Sequence, residues 1–98
     1  MPQSFTKDPD AVLDYRFDWS DWLETGDTIA TRTITASTGI TVDSSSITDS
    51  STSVTVWLSG GTVGATYDIA CLIVTSASRT DERTVSVRIE SVAYLPRP

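Results

Sequence analysis

The side chains in this sequence that could do chemistry are few, and most of them are carboxylates. Asp8, Asp10, Asp14, Asp18 and Asp21 crowd into one short stretch near the start. A calcium loop of the EF-hand type needs oxygen ligands at alternating positions, a central glycine and a closing glutamate. Val12 and Leu13 interrupt the series here, so no metal site is expected from it. Two carboxylates could in principle serve glycoside hydrolysis, but that reaction also needs a deep cleft, which a small sandwich does not offer. The chain has no histidine, which removes the Ser-His-Asp and Cys-His constellations and the usual zinc ligands. Ser59-Gly-Gly-Thr-Val-Gly64 has the glycines of a phosphate loop but no lysine after them. The single Cys71 lies in the apolar run Ile69-Ala-Cys-Leu-Ile-Val74 and reads as a buried, inert thiol. No catalytic residue and no cofactor are expected.

The bulk composition points the same way. A chain of 98 residues has room for one domain and one core. An apolar fraction of 39% with 20% charged residues is that of a globular chain, which argues against wholesale disorder. No apolar run approaches the roughly 20 residues of a membrane helix. The polar start, Met-Pro-Gln-Ser-Phe-Thr-Lys-Asp, does not resemble a secretory signal. A net charge of −6 with only seven Lys and Arg argues against nucleic acid, which needs a concentrated basic face. The acidity suits solubility or a basic protein partner. A lone thiol and no export signal fit assembly in a reducing cytoplasm.

These side chains must be positioned by strands. Ser and Thr make up about a third of the chain, with Thr often alternating with Val or Ile. Leu13, Tyr15, Phe17 and Trp19 alternate with charged residues, which predicts a strand with one aromatic face. Trp19, Trp22 and Leu23 then fall at helical spacing, with Asp18 placed to cap a single turn. These residues are expected to close one end of the sandwich.

Thr28 to Ala36 reads as a strand, and the opposite parity of Ile29 and Ile34 predicts a bulge or a late strand start. Ile40 to Val42 reads as a short strand, followed by a solvated Asp43–Ser53 loop anchored by Ile47. Val54, Val56 and Leu58 face one way and Trp57 the other. Tyr67, Ile69, Cys71 and Ile73 alternate with partly apolar neighbours, the mark of a central strand. Val85, Val87 and Ile89 form the last clear strand. Six or seven short strands with regular turn signals predict an all-β, immunoglobulin-like antiparallel sandwich. Tyr67, just after a glycine corner, is a core residue with a bonded hydroxyl in this reading and a candidate tyrosine corner.

The organisation expected is an N-terminal arm over residues 1–9, the sandwich over 10–95 and a tail over 96–98. The arm is polar apart from Phe5, and Pro96-Arg-Pro98 cannot pair as a strand. Both ends are therefore expected to lie against neighbouring chains, with Phe5 and Tyr94 as anchors. The two clear apolar rows suffice for a core. That leaves Trp57, Leu72 and Val74 pointing outward, either as a docking surface or covered by the chain's own ends.

Five segments carry more than fold class: Asp8-Pro-Asp-Ala-Val-Leu-Asp-Tyr15, Asp18-Trp-Ser-Asp-Trp-Leu23, Val56-Trp-Leu-Ser-Gly-Gly-Thr62, Gly64-Ala-Thr-Tyr67 and Arg79-Thr-Asp-Glu-Arg83. Together they resemble a group of small tailed-phage virion proteins described as fibre–tail adaptors. The resemblance runs from Lys7 to Ile89. It implies a structural virion protein docking between a tail or head–tail connector ring and the tail fibres. It also implies other virion proteins as partners, in multiple copies of a symmetric assembly; the charge and the apolar pattern leave neither nucleic acid nor membrane expected. The alternative is a carbohydrate-binding or host-recognition module, with Trp57 and either Trp19 or Trp22 as stacking platforms.

Overall fold

The computed structural model describes residues 3–90. Seven strands follow one another: β1 (Gln3–Lys7), β2 (Leu13–Asp18), β3 (Ile29–Ala36), β4 (Ile40–Thr48), β5 (Ser53–Gly60), β6 (Thr66–Thr75) and β7 (Thr80–Ile89). They form two sheets, with strand orders β1-β7-β6-β3 and β2-β5-β4. The trio β7-β6-β3 and the trio β2-β5-β4 follow the two-sheet plan of an immunoglobulin constant domain. β1 joins the first sheet as an edge strand parallel to β7, and every other pairing is antiparallel.

Period-2 alternation builds the core. Val54, Val56 and Leu58 of β5 face Ile69, Cys71 and Ile73 of β6 and Val85, Val87 and Ile89 of β7, and all are buried. A row of rings runs along the edge between the sheets: Phe5 stacks on Tyr15 at 5.3 Å, Tyr15 meets Phe17 edge-to-face at 4.9 Å, and Phe17 stacks on Trp19 at 5.9 Å. The pairing of β3 with β6 shifts between Ile29 and Thr31. That bulge lets Ile29 and Ile34 reach the same interior despite their opposite parity.

Two segments differ from the sequence expectation. The Asp43–Ser53 stretch is not one solvated loop, because β4 continues to Thr48. Its register shifts between Val42 and Ser44, so the inward positions pass from Ile40 and Val42 to Ser45 and Ile47. Ser45 tolerates its place between the sheets because Arg32 of β3 reaches across. Arg32 Nε donates to Ser45 Oγ at 3.0 Å and Nη2 to its carbonyl at 2.8 Å.

The second correction is the arm. Gln3–Lys7 is a strand of this domain, with Phe5 opposite Val87 and Lys7 opposite Ile89. Phe5 stacks on Tyr15 of its own chain, where an anchor on a neighbouring chain was expected. Lys7 explains why the segment reads as polar and yet packs. It is fully buried, and its ammonium donates to the carbonyls of Asp8 at 2.8 Å and Gly60 at 2.9 Å. Burial lowers the Lys7 pKa, against the pull of Asp8, Asp10 and Asp43.

Candidate functional site

The three tryptophans occupy two different environments. Trp19 and Trp22 sit on a turn that follows β2, closed by Trp22 N–H and Leu23 N–H donating to the Trp19 carbonyl at 2.9 and 3.0 Å. Asp18 caps this turn by accepting from Ser20 N–H at 2.8 Å, a bond that holds its carboxyl below the usual range. Trp19 is wholly buried, and its indole N–H donates to Asp81 Oδ2 of β7 at 2.8 Å. Arg83 lies over the Trp19 ring at 4.9 Å, and its Nη1 donates to the Asp18 carbonyl. Trp22 and Leu23 are half-buried against the core, and Arg79 lies over the Trp22 ring at 4.0 Å. Arginines at the β6–β7 hairpin thus cover both rings at this end of the sandwich.

Tyr67 organises the opposite corner. Its hydroxyl accepts from Thr62 N–H at 2.9 Å, a side chain at the start of β6 reaching back to the preceding turn. The ring passes between Gly39 and Gly61. A Cβ on Gly39 would meet the Tyr67 ring at 2.8 Å, and one on Gly61 would meet Ile89 at 2.6 Å. Both glycines also have positive φ, so this corner excludes side chains for two reasons.

Trp57 is the exception. It lies on β5, the central strand of its sheet, with Asp14 opposite on β2 and Ser44 opposite on β4. Its side chain points away from the core and is 42% exposed. Its indole N–H has no hydrogen-bond partner among the described residues. Asp43, at the bulge of β4, accepts from Ser59 Oγ at 2.9 Å and so borders the same face. Arg16 is drawn along β2 toward Asp49, at 2.8 Å, and Asp18, at 3.9 Å.

The other expected contact residues are less available. Leu72 and Val74 are half-buried on the outer face of β6, between Thr33 and Glu82 and between Thr31 and Thr80 respectively. Tyr94 lies outside the described residues. The early acids are dispersed between the Asp8 turn, the outer face of β2 and the Trp19 turn. Among the described residues no three His, Cys, Asp or Glu gather as a metal ion would require. Cys71 is buried and unpaired, and burial pushes its thiol up to about 12. The sequence reading missed Lys7 as a structural cation and Arg79 and Arg83 as covers for the tryptophans. The closeness of Arg79-Thr-Asp-Glu-Arg83 to a hairpin was visible, but its partners lie some sixty positions away.

These features define a class: an immunoglobulin-like sandwich with a packed apolar interior and one aromatic-bearing outer face. The family described as Podophage GP4 fiber-tail adaptor protein gp77 matches residues 7–88, and the chain belongs to that family. Comparison with curated proteins finds no match. The family description gives the chain a structural role, as a fibre–tail adaptor in a phage virion.

Proposed function

We propose that the protein docks between a ring of the tail or head–tail connector and the tail fibres, in several copies assembled in the host cytoplasm. The outer face of β2, β5 and β4 is one of its contact surfaces. The observation that carries this reading is Trp57, an exposed aromatic on the middle strand of that sheet whose indole N–H has no partner among the described residues. Exposed aromatics on rigid strands are efficient contact anchors, because little side-chain entropy is lost when they are covered. The family supports the adaptor role in general, and the surface suggests where contact is made.

The test is a reconstruction of intact particles in which the neighbours of Trp57 are identified. Burial of Trp57 against another virion chain is the expected result. Trp57 left open to solvent at the particle surface would instead favour the carbohydrate-binding alternative, since a ring beside Asp14 and Ser44 also suits sugar stacking.

A further inference from the structure

Resting on that docking reading, we propose that Trp57 receives a cation, the guanidinium of an arginine on a basic segment of a neighbouring virion protein. Three observations converge on this chemistry.

First, every described cation is already engaged inside the chain. Arg16 pairs with Asp49, Arg88 with Glu90, and Arg32 bonds Ser45. Arg79 and Arg83 cover the other two tryptophans, and Lys7 is spent on two carbonyls. With a net charge of −6, the chain has more carboxylates than cations to pair with them.

Second, two such carboxylates share the outer face with Trp57. Asp14 stands opposite it on β2 and has no ion pair among the described residues. Asp43 borders it from β4 and takes one hydrogen bond from a neutral hydroxyl. Lys7 acts on Asp43 only at longer range, its ammonium being held by the carbonyls.

Third, the fold shows how its tryptophans are completed. Trp19 and Trp22 each carry an arginine over the ring, at 4.9 and 4.0 Å, and Trp57 carries none among the described residues. A half-open indole on a face that also carries two carboxylates attracts a cation through both the ring and the acids. Arginine suits the place better than lysine, because its planar guanidinium stacks on an indole while donating in-plane hydrogen bonds to a carboxylate. Apolar docking alone would leave Asp14 and Asp43 to be desolvated without compensation, which disfavours an uncharged partner.

The experiment has two arms on the full-length chain. In the first, the isotope-labelled protein is titrated with hexa-arginine, hexaglutamate and a neutral oligosaccharide while amide and indole resonances are followed. Hexa-arginine should shift the Trp57 indole and the Asp14 and Ser44 amides saturably, and hexaglutamate should not. Trp57→Leu and the double variant Asp14→Asn/Asp43→Asn should each weaken that binding by about tenfold. No response at Trp57, equal binding by the variants, or a response to the oligosaccharide alone overturns the proposal.

In the second arm, the protein is added to particles assembled without it, in low salt and in 0.5 M salt. Docking lost in Trp57→Leu, weakened in the double variant and weakened by salt supports the cation. Docking lost in Trp57→Leu but indifferent to the double variant and to salt keeps the docking face and overturns the cation. If the wild-type chain does not dock, or Trp57→Leu docks normally, the docking reading itself fails.

Discussion

The Trp19 end and the Trp57 face use the same residue type for opposite purposes. At the Trp19 end the indole N–H is spent on Asp81, the ring is covered by Arg83, and the neighbouring Trp22 is covered by Arg79. On the β2-β5-β4 face, Trp57 is 42% exposed, and neither its N–H nor its ring has a polar partner among the described residues. Burial alone does not separate the two, since Trp22 is itself only half-buried. What separates them is whether the chain supplies the polar complement. An aromatic whose partners come from its own chain belongs to the fold, whereas one lacking them is free to take partners from elsewhere.

The largest effect should come from the buried Trp19 end. Trp19→Ala removes a fully buried ring, the indole donor to Asp81 and the face beneath Arg83, while Asp81 and Arg83 keep their mutual ion pair at 3.5 Å. A loss of about 3–5 kcal/mol is expected, measured by urea unfolding. A loss below 1 kcal/mol would erase the distinction between the two regions.

Next come the two buried polar locks. Lys7→Met keeps the aliphatic stem but leaves the carbonyls of Asp8 and Gly60 without their donor. It should cost about 1–3 kcal/mol. Tyr67→Phe removes the acceptor of Thr62 N–H and should cost about 1 kcal/mol. If Lys7→Met is neutral while β1 stays paired, strand packing without the buried ammonium is enough to hold Gln3–Lys7.

A smaller effect follows from acid. The Asp49 pKa is lowered by hydrogen bonds from Ser53 and Arg16, and that of Asp18 by its bonds to Ser20. Asp27 is also lowered, where hydrogen bonds from Thr75, Thr28 and Ala77 outweigh the opposing effect of burial. A carboxyl with a depressed folded pKa binds fewer protons folded than unfolded. Its stabilisation is therefore present above the unfolded value, near 4, and is lost as pH falls toward the folded value. Melting temperature should fall below about pH 4, and Asp49→Asn should flatten that decline. All three acids lie around the Trp19 turn or the loops beside it, so an unchanged slope in the variant would assign the acid response elsewhere.

The contrast between the regions was partly legible in the sequence. Trp57 alternates with Val56 and Leu58, and that alternation fixes which way it points in any regular strand. Uninterrupted alternation likewise exposed β2, β6 and β7, and the parity conflict of Ile29 and Ile34 marked the β3 bulge. β4 was hidden because its own bulge at Asp43 moves the inward set from even to odd positions, and because inward Ser45 is satisfied by distant Arg32. β1 was hidden because its inward Lys7 is tolerated only where Gly60 presents a carbonyl. Leu72 and Val74 point outward by parity, yet both are half-buried between the neighbouring strands β3 and β7. The arginines over Trp19 and Trp22 come from a hairpin remote in the chain, and no local pattern announces such a pairing.

The smallest expected effect on stability, and the one that sharpens the comparison most, is at Trp57. Trp57→Thr keeps a residue that favours strands, removes the exposed ring and breaks no side-chain hydrogen bond among the described residues. Its unfolding free energy should stay within about 0.5 kcal/mol of the parent, as for surface changes away from caps and networks. Incorporation into particles should nevertheless fall sharply, because the same change removes a contact anchor from the outer face. Trp19→Ala should show the reverse order, with stability failing first and assembly failing only as a consequence. Measuring unfolding and incorporation on both variants therefore separates the two roles by their ratio, even if absolute incorporation varies between preparations. A Trp57→Thr protein that loses more than about 2 kcal/mol would place Trp57 with the buried aromatics. Its ring would then support the sheet rather than await a partner.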